Sequence, residues 1–501
     1  MKLLLNAPLF EYDIRGLLMA FYPWQKFETD PGAEDPMGLS VYFTGDTDAA
    51  KGRGNVPVLL TADLSLWDDG EGYRRSETVS LDLSDKSAAK TLLKRTLYGM
   101  LSGKTGRTLP WGTLTGIRPT KIATAMLEAG ASDAEILRHM EGDLMCSHEK
   151  ALLSAAISKR ERALIAGTDG QDGYSIYVGI PFCPTRCLYC SFTAYPIAAY
   201  RDRLPQYLDA VEQELLLIRD LFRGKKLNTV YFGGGTPTAL DAPDLDRLLG
   251  FVEDHFDLSD LREWTVEAGR PDSVTPGKLD ALKAHPVSRI SVNPQTMHQK
   301  TLDLIGRKHT VEQVVETYRL AREKGFDNIN MDLILGLPGE NESDVRETLR
   351  RVSALDPESV TVHSLAVKRA SRLNLMKEQY REMPMENSEA LMRLCVETLR
   401  ERGCAPYYLY RQKNMAGNLE NVGFAKPGKE GLYNILIMEE VQSIAAAGAG
   451  ATSKRVKGDL ITRAENAKDI RTYLEHFDEM LARKRALYED RAPGEPPRSG
   501  G

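Results

Sequence analysis

The stretch Tyr177-Val-Gly-Ile-Pro-Phe-Cys183-Pro-Thr-Arg-Cys187-Leu-Tyr-Cys190 decides the fold. It places three cysteines in a C-x3-C-x2-C spacing directly after a short apolar run that predicts a strand. Thiolates are soft ligands that suit iron–sulfur clusters and zinc. A structural zinc site needs four ligands, and no further Cys or His occurs between Cys190 and His255. Three thiolates on a cubane cluster leave one iron open for chemistry. A zinc site completed from a distant segment, or three reduced thiols, are the alternatives.

Outward from this stretch, short apolar strands alternate with amphipathic helices. We predict strands at Ser175–Ile180, Thr229–Phe232, Glu263–Glu267, Arg289–Val292, Asn328–Leu333 and Ser359–His363. Helices are predicted between and after them at Arg203–Phe222, Ala242–His255, Pro276–Ala284, Gln299–Leu304, Val311–Lys324 and Glu342–Ala354. Such repeats indicate a parallel sheet with helical crossovers. Six units favour a partial barrel over a closed one with eight.

The cysteine triplet and its place after the first barrel strand resemble the radical S-adenosylmethionine (SAM) superfamily. The resemblance implies a [4Fe–4S] cluster on Cys183, Cys187 and Cys190. Its open iron would chelate the amino and carboxylate groups of SAM, and one-electron reduction would cleave SAM to methionine and a 5′-deoxyadenosyl radical. Tyr189, directly before the last cysteine, would pack beside the adenine.

Polar residues at or after the ends of the predicted strands fit the same reading, because that edge of a parallel barrel carries the chemistry. Glycines let a ligand approach the backbone closely, and in the family the loop that here contains Gly234, Gly235 and Thr236 holds the methionyl amino group. The resemblance also implies that Glu267 binds the ammonium of SAM and that the amide of Gln295 binds its ribose hydroxyls. The guanidinium of Arg307 would bind the carboxylate of SAM, and Asp332 would bridge two ribose hydroxyls. Each of these residues also has a structural explanation when it is considered alone. The glycines could form only a turn, Arg307 could be a solvated charge at a helix end, and Asp332 could cap a helix.

The text from Tyr177 to about Leu365 is similar to the oxygen-independent coproporphyrinogen III dehydrogenase family. The matching motifs are Tyr-Val-x-Ile-Pro-Phe-Cys, Phe-Gly-Gly-Gly-Thr-Pro-Thr and Asp-Leu-Ile-Leu-Gly-Leu-Pro-Gly. The C-terminal text around Tyr407–Asn414 and Asn418–Gly423 is similar to the HemZ-type branch. The resemblance implies that Tyr177, our candidate catalytic residue, sits beside the sulfonium of SAM.

In this family two propionate side chains are oxidatively decarboxylated to vinyl groups, which yields protoporphyrinogen IX in anaerobic haem biosynthesis. The resemblance implies a tetrapyrrole substrate and a low-potential electron donor such as flavodoxin or ferredoxin. The sequence departs from the family pattern in two places. The family's Cys-x-Cys is here Cys190-Ser191-Phe192, and Gly179 stands where His is frequent. Cations for the substrate carboxylates are sought among Lys368, Arg369, Arg372, Arg411 and Lys413.

Two other functions stay open. A related branch comprises haem chaperones with a His-Asn-x-x-Tyr-Trp text, and the matching place here reads Tyr433-Asn-Ile-Leu-Ile-Met438. The missing His and Trp argue against a non-catalytic haem-binding chaperone. Another radical SAM reaction on a tetrapyrrole, such as methyl transfer or ring opening, is the second alternative.

The remaining chain supplies the other domains. We expect an N-terminal α/β domain over 1–168, the barrel over 169–380, a mainly helical C-terminal domain over 381–490 that closes the substrate pocket, and a disordered tail over 491–501. In the first region, Val58–Leu64 and Glu77–Leu83 are predicted as strands and Ser87–Leu101, Pro119–Glu128 and Glu149–Ile165 as helices.

Charge and composition exclude several classes of protein. The 65 basic and 71 acidic residues give a formal net charge of −6, which is not the footprint of a nucleic-acid binder. The start is too short and too charged for a signal peptide, and no apolar run is long enough to span a bilayer. We therefore expect a cytoplasmic protein. Cys146, Cys395 and Cys404 are expected to be buried small hydrophobic residues.

Overall fold

A computed structural model describes residues 1–489 except 24, 30–34, 47–58, 117, 367–370, 376–382, 384, 386 and 412–418. The candidate cations Lys368, Arg369 and Lys413 and the predicted tail lie outside these described residues. The chain divides into two compact units, Met1–Lys159 with Tyr410–Glu420, and Arg160–Leu409 with the chain from Asn421 onward. Within the described ranges, no helix combines the length and the apolar character needed to cross a membrane.

The first unit is a four-stranded sheet in the order β1-β2-β3-β4, with β1 parallel to β2 and the other pairs antiparallel. Its strands are β1 Lys2–Leu5, β2 Met37–Thr44, β3 Leu59–Asp68 and β4 Tyr73–Asp82. Its helices are α1 Glu11–Phe21, α2 Lys86–Thr105, α3 Thr120–Glu128, α4 Asp133–Arg138 and α5 His148–Ile165, which continues into the second unit. Leu17 of α1, Leu97 of α2 and Leu64 of β3 are fully buried in one core. The two predicted strands correspond to β3 and β4, and the three predicted helices correspond to α2, α3 and α5. The elements β1, α1, β2 and α4 were not predicted.

The second unit contains an eleven-stranded sheet in the order β13-β14-β12-β11-β10-β9-β8-β5-β15-β16-β17. Its strands are β5 Gly173–Ile180, β8 Lys226–Gly234, β9 Glu263–Glu267, β10 Arg289–Ser291, β11 Ile329–Leu335, β12 Ser359–Ser364, β13 Ala405–Tyr410, β14 Asn421–Ala425, β15 Ser443–Ala447, β16 Thr452–Lys457 and β17 Leu460–Glu465. The short strands β6 Phe182–Cys183 and β7 Tyr195–Pro196 form a separate parallel pair.

The helices of this unit lie between its strands, except for two that follow the last strand. They are α6 Leu204–Leu221, α7 Ala242–His255, α8 Pro276–Ala284, α9 Gln299–Leu304, α10 Val311–Glu323, α11 Glu342–Leu355, α12 Arg372–Leu375, α13 Glu389–Glu401, α14 Leu432–Glu439, α15 Ile470–Glu475 and α16 Phe477–Tyr488. The run from β5 through β8, β9, β10 and β11 to β12 is parallel throughout. The predicted partial (β/α)6 barrel is therefore confirmed.

The segment after α13 adds strands that were not predicted between the expected helices. At one edge β14 runs antiparallel to β12, with Val360 opposite Phe424. At the other edge β15 runs parallel to β5, with Ser443 opposite Tyr174, and β16 and β17 continue antiparallel. The C-terminal part of the chain thus extends both edges of the barrel sheet.

The parallel strands carry different residues on their two faces. One face, the apolar face, presents Val178, Phe232, Val266, Met331 and Val362, all fully buried. The other, the polar face, presents the alternate residues, which bond to one another across strands. These residues include Ser175, Tyr177, Thr229, Tyr231, Thr265, Glu267, Arg289, Asn330, Asp332, Ser359, Thr361 and His363. Parallel sheets are normally apolar on both faces, so the polar face marks where the chemistry is to be sought.

Candidate functional site

The cysteine loop follows β5 and is fixed by bonds from distant segments. The Leu188 amide donates to the Ile305 carbonyl at 2.9 Å, just beyond α9. The Thr185 hydroxyl donates to the Gly306 carbonyl at 3.3 Å, and Arg270 donates to the Thr185 carbonyl at 2.9 Å. A loop held at several backbone points can present its three thiols in one orientation.

The three thiols are unoxidised and sit close to polar groups. Cys183 and Cys187 are buried and Cys190 is partly buried. Cys183 Sγ lies 3.3 Å from the Thr236 hydroxyl, and Arg270 donates to Cys187 Sγ at 3.5 Å. Burial raises the pKa of Cys183 to about 11 and also raises the pKa of Cys190. Thiols of this kind ionise when a metal centre binds, because metal binding displaces the proton.

The donor set fits a multi-iron cluster. In the described part of the chain, no three His, Cys, Asp or Glu side chains stand close enough together to hold a metal ion. A single zinc ion draws its thiolates to about 2.3 Å from one centre, whereas a cluster of several metal atoms accepts thiolates that are further apart. Three thiols without disulfides on one braced loop are the soft donors that such a cluster takes.

The glycine loop after β8 packs directly against the start of the cysteine loop. The Gly235 amide donates to the Ile180 carbonyl at 2.8 Å, and the Thr236 amide donates to the Phe182 carbonyl at 2.7 Å. A Cβ at Gly235 would lie 2.5 Å from the Phe182 carbonyl oxygen. Gly234 has φ of 107°, which only glycine adopts readily. These glycines allow β5 and β8 to meet closely beside Cys183.

Glu267, at the end of β9, is held by a tyrosine that the sequence analysis did not select. The Tyr231 hydroxyl donates to Glu267 Oε1 at 2.5 Å. Burial raises the pKa of Glu267 to about 7, although the hydrogen bond from Tyr231 opposes the rise. The carboxyl group therefore titrates near neutral pH, and it would become an anion when a cation binds beside it.

Gln295 is held in a strained conformation with an unused acceptor. Its φ is 68°, in the left-handed region that non-glycine residues rarely adopt. Its backbone is fixed by bonds to Asp332 and Ile334 at 2.9 Å each. Its Oε1 is buried and bonds to none of the described residues. A buried polar group without a partner is costly, so this atom is suited to a ligand hydroxyl.

Arg307 connects the loop after α9 to the cysteine loop. One terminal nitrogen donates to the Tyr189 hydroxyl at 3.1 Å. The other donates to the carbonyl oxygens of Gly269 and Asn293 at 2.9 and 2.7 Å. Its Nε is buried and makes no bond to the described residues. Both terminal nitrogens of the Arg307 guanidinium, which we predict to bind the carboxylate of SAM, thus bond to Tyr189 and to the backbone just after β9 and β10.

Asp332, in the middle of β11, is bonded on both oxygens. Asn330 donates to Oδ1 at 2.7 Å, and His363 Nε2 lies 3.5 Å from Oδ2. Burial alone would raise the pKa of Asp332, but the bonds from His363 and Asn330 outweigh it and lower the pKa. The group is therefore an anion at neutral pH, with about a fifth of its side chain exposed to a ligand.

Three tyrosine rings stack over the polar face. Tyr231 lies 4.5 Å from Tyr433 of α14 between ring centroids, and Tyr177 lies 6.1 and 6.2 Å from these two. Burial raises the pKa of each of the three hydroxyls. They form a neutral aromatic surface next to Glu267.

The sequence analysis did not select Tyr231, Arg270 or His363 as site residues. Tyr231 could have been found by strand alternation, because it lies two residues before Gly233 on the same face. Arg270 gives no signal in the sequence beyond its place three residues after Glu267. Of the cation candidates, Arg372 is exposed at the start of α12, whereas Arg411 is buried in the first unit and donates to the Leu114 carbonyl at 2.8 Å.

Comparisons with known proteins agree with this geometry. The sequence model of the Radical SAM superfamily matches residues 177–352. The chain is 43% identical over 420 residues to the oxygen-independent coproporphyrinogen-III oxidase-like protein HemZ of Bacillus subtilis, covering 82% of this chain and 84% of that protein. It is 32% identical over 319 residues to the heme chaperone HemW of the same organism, covering 63% and 78%.

Among solved structures, coproporphyrinogen III oxidase (HemN) from Escherichia coli, a radical SAM enzyme, aligns with a TM-score of 0.50 and 24% identity. The alignment covers 64% of this chain and 73% of that chain, and it supports the fold. Proteins of the radical SAM superfamily use a [4Fe–4S] cluster and SAM, which are therefore the cofactors of this protein. The chain belongs to the radical SAM superfamily, within the family of oxygen-independent coproporphyrinogen-III oxidase-like proteins that includes HemZ.

Proposed function

We propose that this protein oxidatively decarboxylates the propionate side chains of a porphyrinogen, with coproporphyrinogen III as substrate. The observation that carries the proposal is the convergence of Tyr177, Glu267 and Asp332 on one polar sheet face, which ends beside a three-cysteine loop. Similarity to a coproporphyrinogen-III oxidase-like relative at 43% identity supports the substrate class.

The cysteines and the strand ends would divide the cofactor work. Cys183, Cys187 and Cys190 would ligate three irons. The cluster and SAM, when bound, supply a one-electron reductive cleavage that provides a hydrogen-abstracting radical. Glu267 would pair with the ammonium of SAM, and Asp332 and Gln295 would bond to its ribose hydroxyls.

The other residues would shape the reaction space. Tyr189, held by Arg307, would pack against the adenine. The loop of Gly234, Gly235 and Thr236 would offer carbonyl acceptors to the methionyl amino group, since the amides of Gly235 and Thr236 are already bonded. The rings of Tyr177, Tyr231 and Tyr433 would exclude water and orient the substrate, while the cofactor does the hard chemistry.

The test is an anaerobic assay of reconstituted protein with SAM, a low-potential reductant and coproporphyrinogen III, followed by mass spectrometry of the product. We expect each turnover to transfer one hydrogen atom from one propionate to the adenosyl group, release CO2 and pass one electron to a one-electron acceptor added to the assay, giving the monovinyl and then the divinyl product. Cleavage of SAM without a vinyl product contradicts this function. A product that has gained a methyl group or lost its macrocycle identifies another radical SAM reaction.

The identity of 32% to a heme chaperone makes haem binding the second candidate. One observation opposes it, since Tyr433 lies in the family position of the chaperone His and is buried in the tyrosine stack. Titration with haem distinguishes the two. A stoichiometric Soret complex together with no turnover of the porphyrinogen would favour the chaperone.

A further inference from the structure

Arg270 is a buried arginine beside the cysteine loop for which the SAM contacts leave no role. It follows β9 and is only 3% exposed. Nε and Nη2 donate to the two oxygens of Asp272 at 2.9 and 2.6 Å. The remaining nitrogen, Nη1, donates to the Thr185 carbonyl at 2.9 Å and to Cys187 Sγ at 3.5 Å. Arg270 thus contacts one thiol of the triplet directly.

The orientation of Arg270 is fixed by its partners. A two-point bond between a planar guanidinium and a carboxylate sets both position and rotation. Asp272 is itself approached by His309 Nδ1 at 3.9 Å, and His309 is fully buried. Because the fork uses Nε and Nη2, Nη1 can point only toward the cysteine loop. The contact with Cys187 is therefore built into the fold.

The two buried thiols have different neighbours. Cys183 lies beside the neutral hydroxyl of Thr236, whereas Cys187 faces a guanidinium that stays charged at any physiological pH. Hydrogen bonds to sulfur and local charge are among the factors that set the potential of an iron–sulfur cluster. In a water-poor interior such a charge acts more strongly than at the surface.

We propose that Arg270 is a positioning residue that sets the reduction potential of the cluster through its N–H···S bond to Cys187. Reduction adds one electron and increases the negative charge on the ligating sulfurs. A cationic donor at Cys187 stabilises this reduced form and makes the cluster easier to reduce. The inference rests on the ligation by Cys183, Cys187 and Cys190 proposed above.

The experiment compares Arg270→Gln and Arg270→Lys with the wild-type protein, all reconstituted anaerobically. Iron and sulfide content are measured first, and the midpoint potential is then measured by a redox titration followed by electron paramagnetic resonance. For Arg270→Gln we expect an about tenfold lower ratio of reduced to oxidised cluster at a fixed potential, a shift of about 59 mV to more negative values. Arg270→Lys should shift less in the same direction, because it keeps the charge and loses the fork.

Arg247 provides the matched control. It also bonds two-pronged to a carboxylate, through Nε and Nη2 to Glu212 at 2.7 and 2.8 Å, but it lies exposed on α7 and contacts no thiol in the structure. Arg247→Gln should leave the cluster potential unchanged. A shift in this variant equal to that of Arg270→Gln would overturn the proposal, since the effect would then be general.

The outcomes are separable. A full cluster at wild-type potential in Arg270→Gln means that Arg270 only braces the loop, which overturns the inference. If Arg270→Gln takes up no cluster, the potential of Arg270→Lys decides in the same way. If neither arginine variant takes up a cluster, the midpoint potential is measured in Asp272→Asn, which removes the two-point bond to Asp272 and keeps Arg270. Absence of a cluster in the wild type contradicts the ligand assignment, and the inference about Arg270 falls with it.

Discussion

Tyr231 and Phe232 are neighbours on β8 but lie on opposite faces of the sheet. Phe232 is fully buried on the apolar face, 6.1 Å from Trp264 between ring centroids. Tyr231 lies on the polar face, where it stacks with Tyr433 and bonds to Glu267. The apolar face supplies burial, which is the main driving force of folding. The polar face buries less apolar side-chain surface and instead carries the groups that would bind and react.

The largest expected effect concerns the loop at the end of the polar face. Cys183→Ala should abolish the broad visible absorption of the cluster and all cleavage of SAM, because one ligating thiolate is lost. The far-ultraviolet circular dichroism should stay unchanged, since the loop is also braced by backbone bonds. Iron analysis and the absorption spectrum after reconstitution check this.

Cys395→Ala is the control for that variant. Cys395 is fully buried in α13 and belongs to no cysteine triplet, so this change should leave iron content intact. Full iron content and activity in Cys183→Ala would refute the ligand assignment.

The second prediction compares the two faces on one strand. Phe232→Ala should lower the free energy of unfolding by about 3–5 kcal/mol, the usual cost of removing a buried phenylalanine. Tyr231→Phe should cost only about 1 kcal/mol, since it removes one hydrogen bond and keeps the ring. Urea unfolding of the two variants measures the difference. Equal losses would mean that the polar face contributes as much to folding as the apolar face.

The apolar face explains why so much of the barrel could be predicted. The bounds of β9, α7, α8 and α9 follow directly from short apolar runs and helical spacing in the sequence. Some of the strands that the C-terminal segment adds beyond the barrel carry no such signal. For example, β15 is an alanine-rich run that suits a helix equally well, and it becomes a strand by pairing with β5 far earlier in the chain. Pairing between distant segments cannot be inferred from local periodicity.

The candidate site shows the same division. The cysteines, Glu267 and Gln295 stand in recognisable motifs at or just after strand ends, and Asp332 stands in the motif that forms β11, in the middle of the strand rather than at its end. The bond from Tyr231 to Glu267 and the bond from Arg270 to Cys187 join segments that are 36 and 83 positions apart. Strand alternation could have selected Tyr231 as a residue of the polar face, but only the folded chain shows that these pairs of side chains meet.

The third prediction tests an anion on the polar face. Asp332→Asn should weaken SAM binding about 10- to 100-fold, because a hydrogen bond to a charged acceptor contributes about 1.5–3 kcal/mol. Iron content should not change. Anaerobic calorimetry of SAM binding checks this, with Asp220→Asn, at an exposed aspartate on α6, as the control. Unchanged affinity in Asp332→Asn would exclude it from the ribose site.

The smallest expected effect is a pH dependence that arises from Glu267. Its pKa is raised to about 7 by burial, so it is mostly protonated at pH 6 and half ionised at pH 7. In protein that has not been reconstituted with the cluster, the α-amino group of bound SAM titrates at about 7.7–8.0 and remains a cation over this interval. Because the cation pairs with the carboxylate, SAM affinity should fall about fivefold from pH 7 to pH 6.

The same carboxyl group should also release a proton when SAM binds at pH 6, and calorimetry in buffers of different ionisation enthalpy detects that release. Glu267→Gln holds an amide that does not titrate, so its SAM affinity should be weaker and constant over this interval. A pH dependence that survives in Glu267→Gln would assign the titration to another group. Tyr231→Phe removes the hydrogen bond that favours the ionised form, so it should move the midpoint of the affinity change to higher pH. That shift would tie the tyrosine stack to the cofactor site, whereas Phe232, one residue further along β8 on the apolar face, cannot affect the titration in this way.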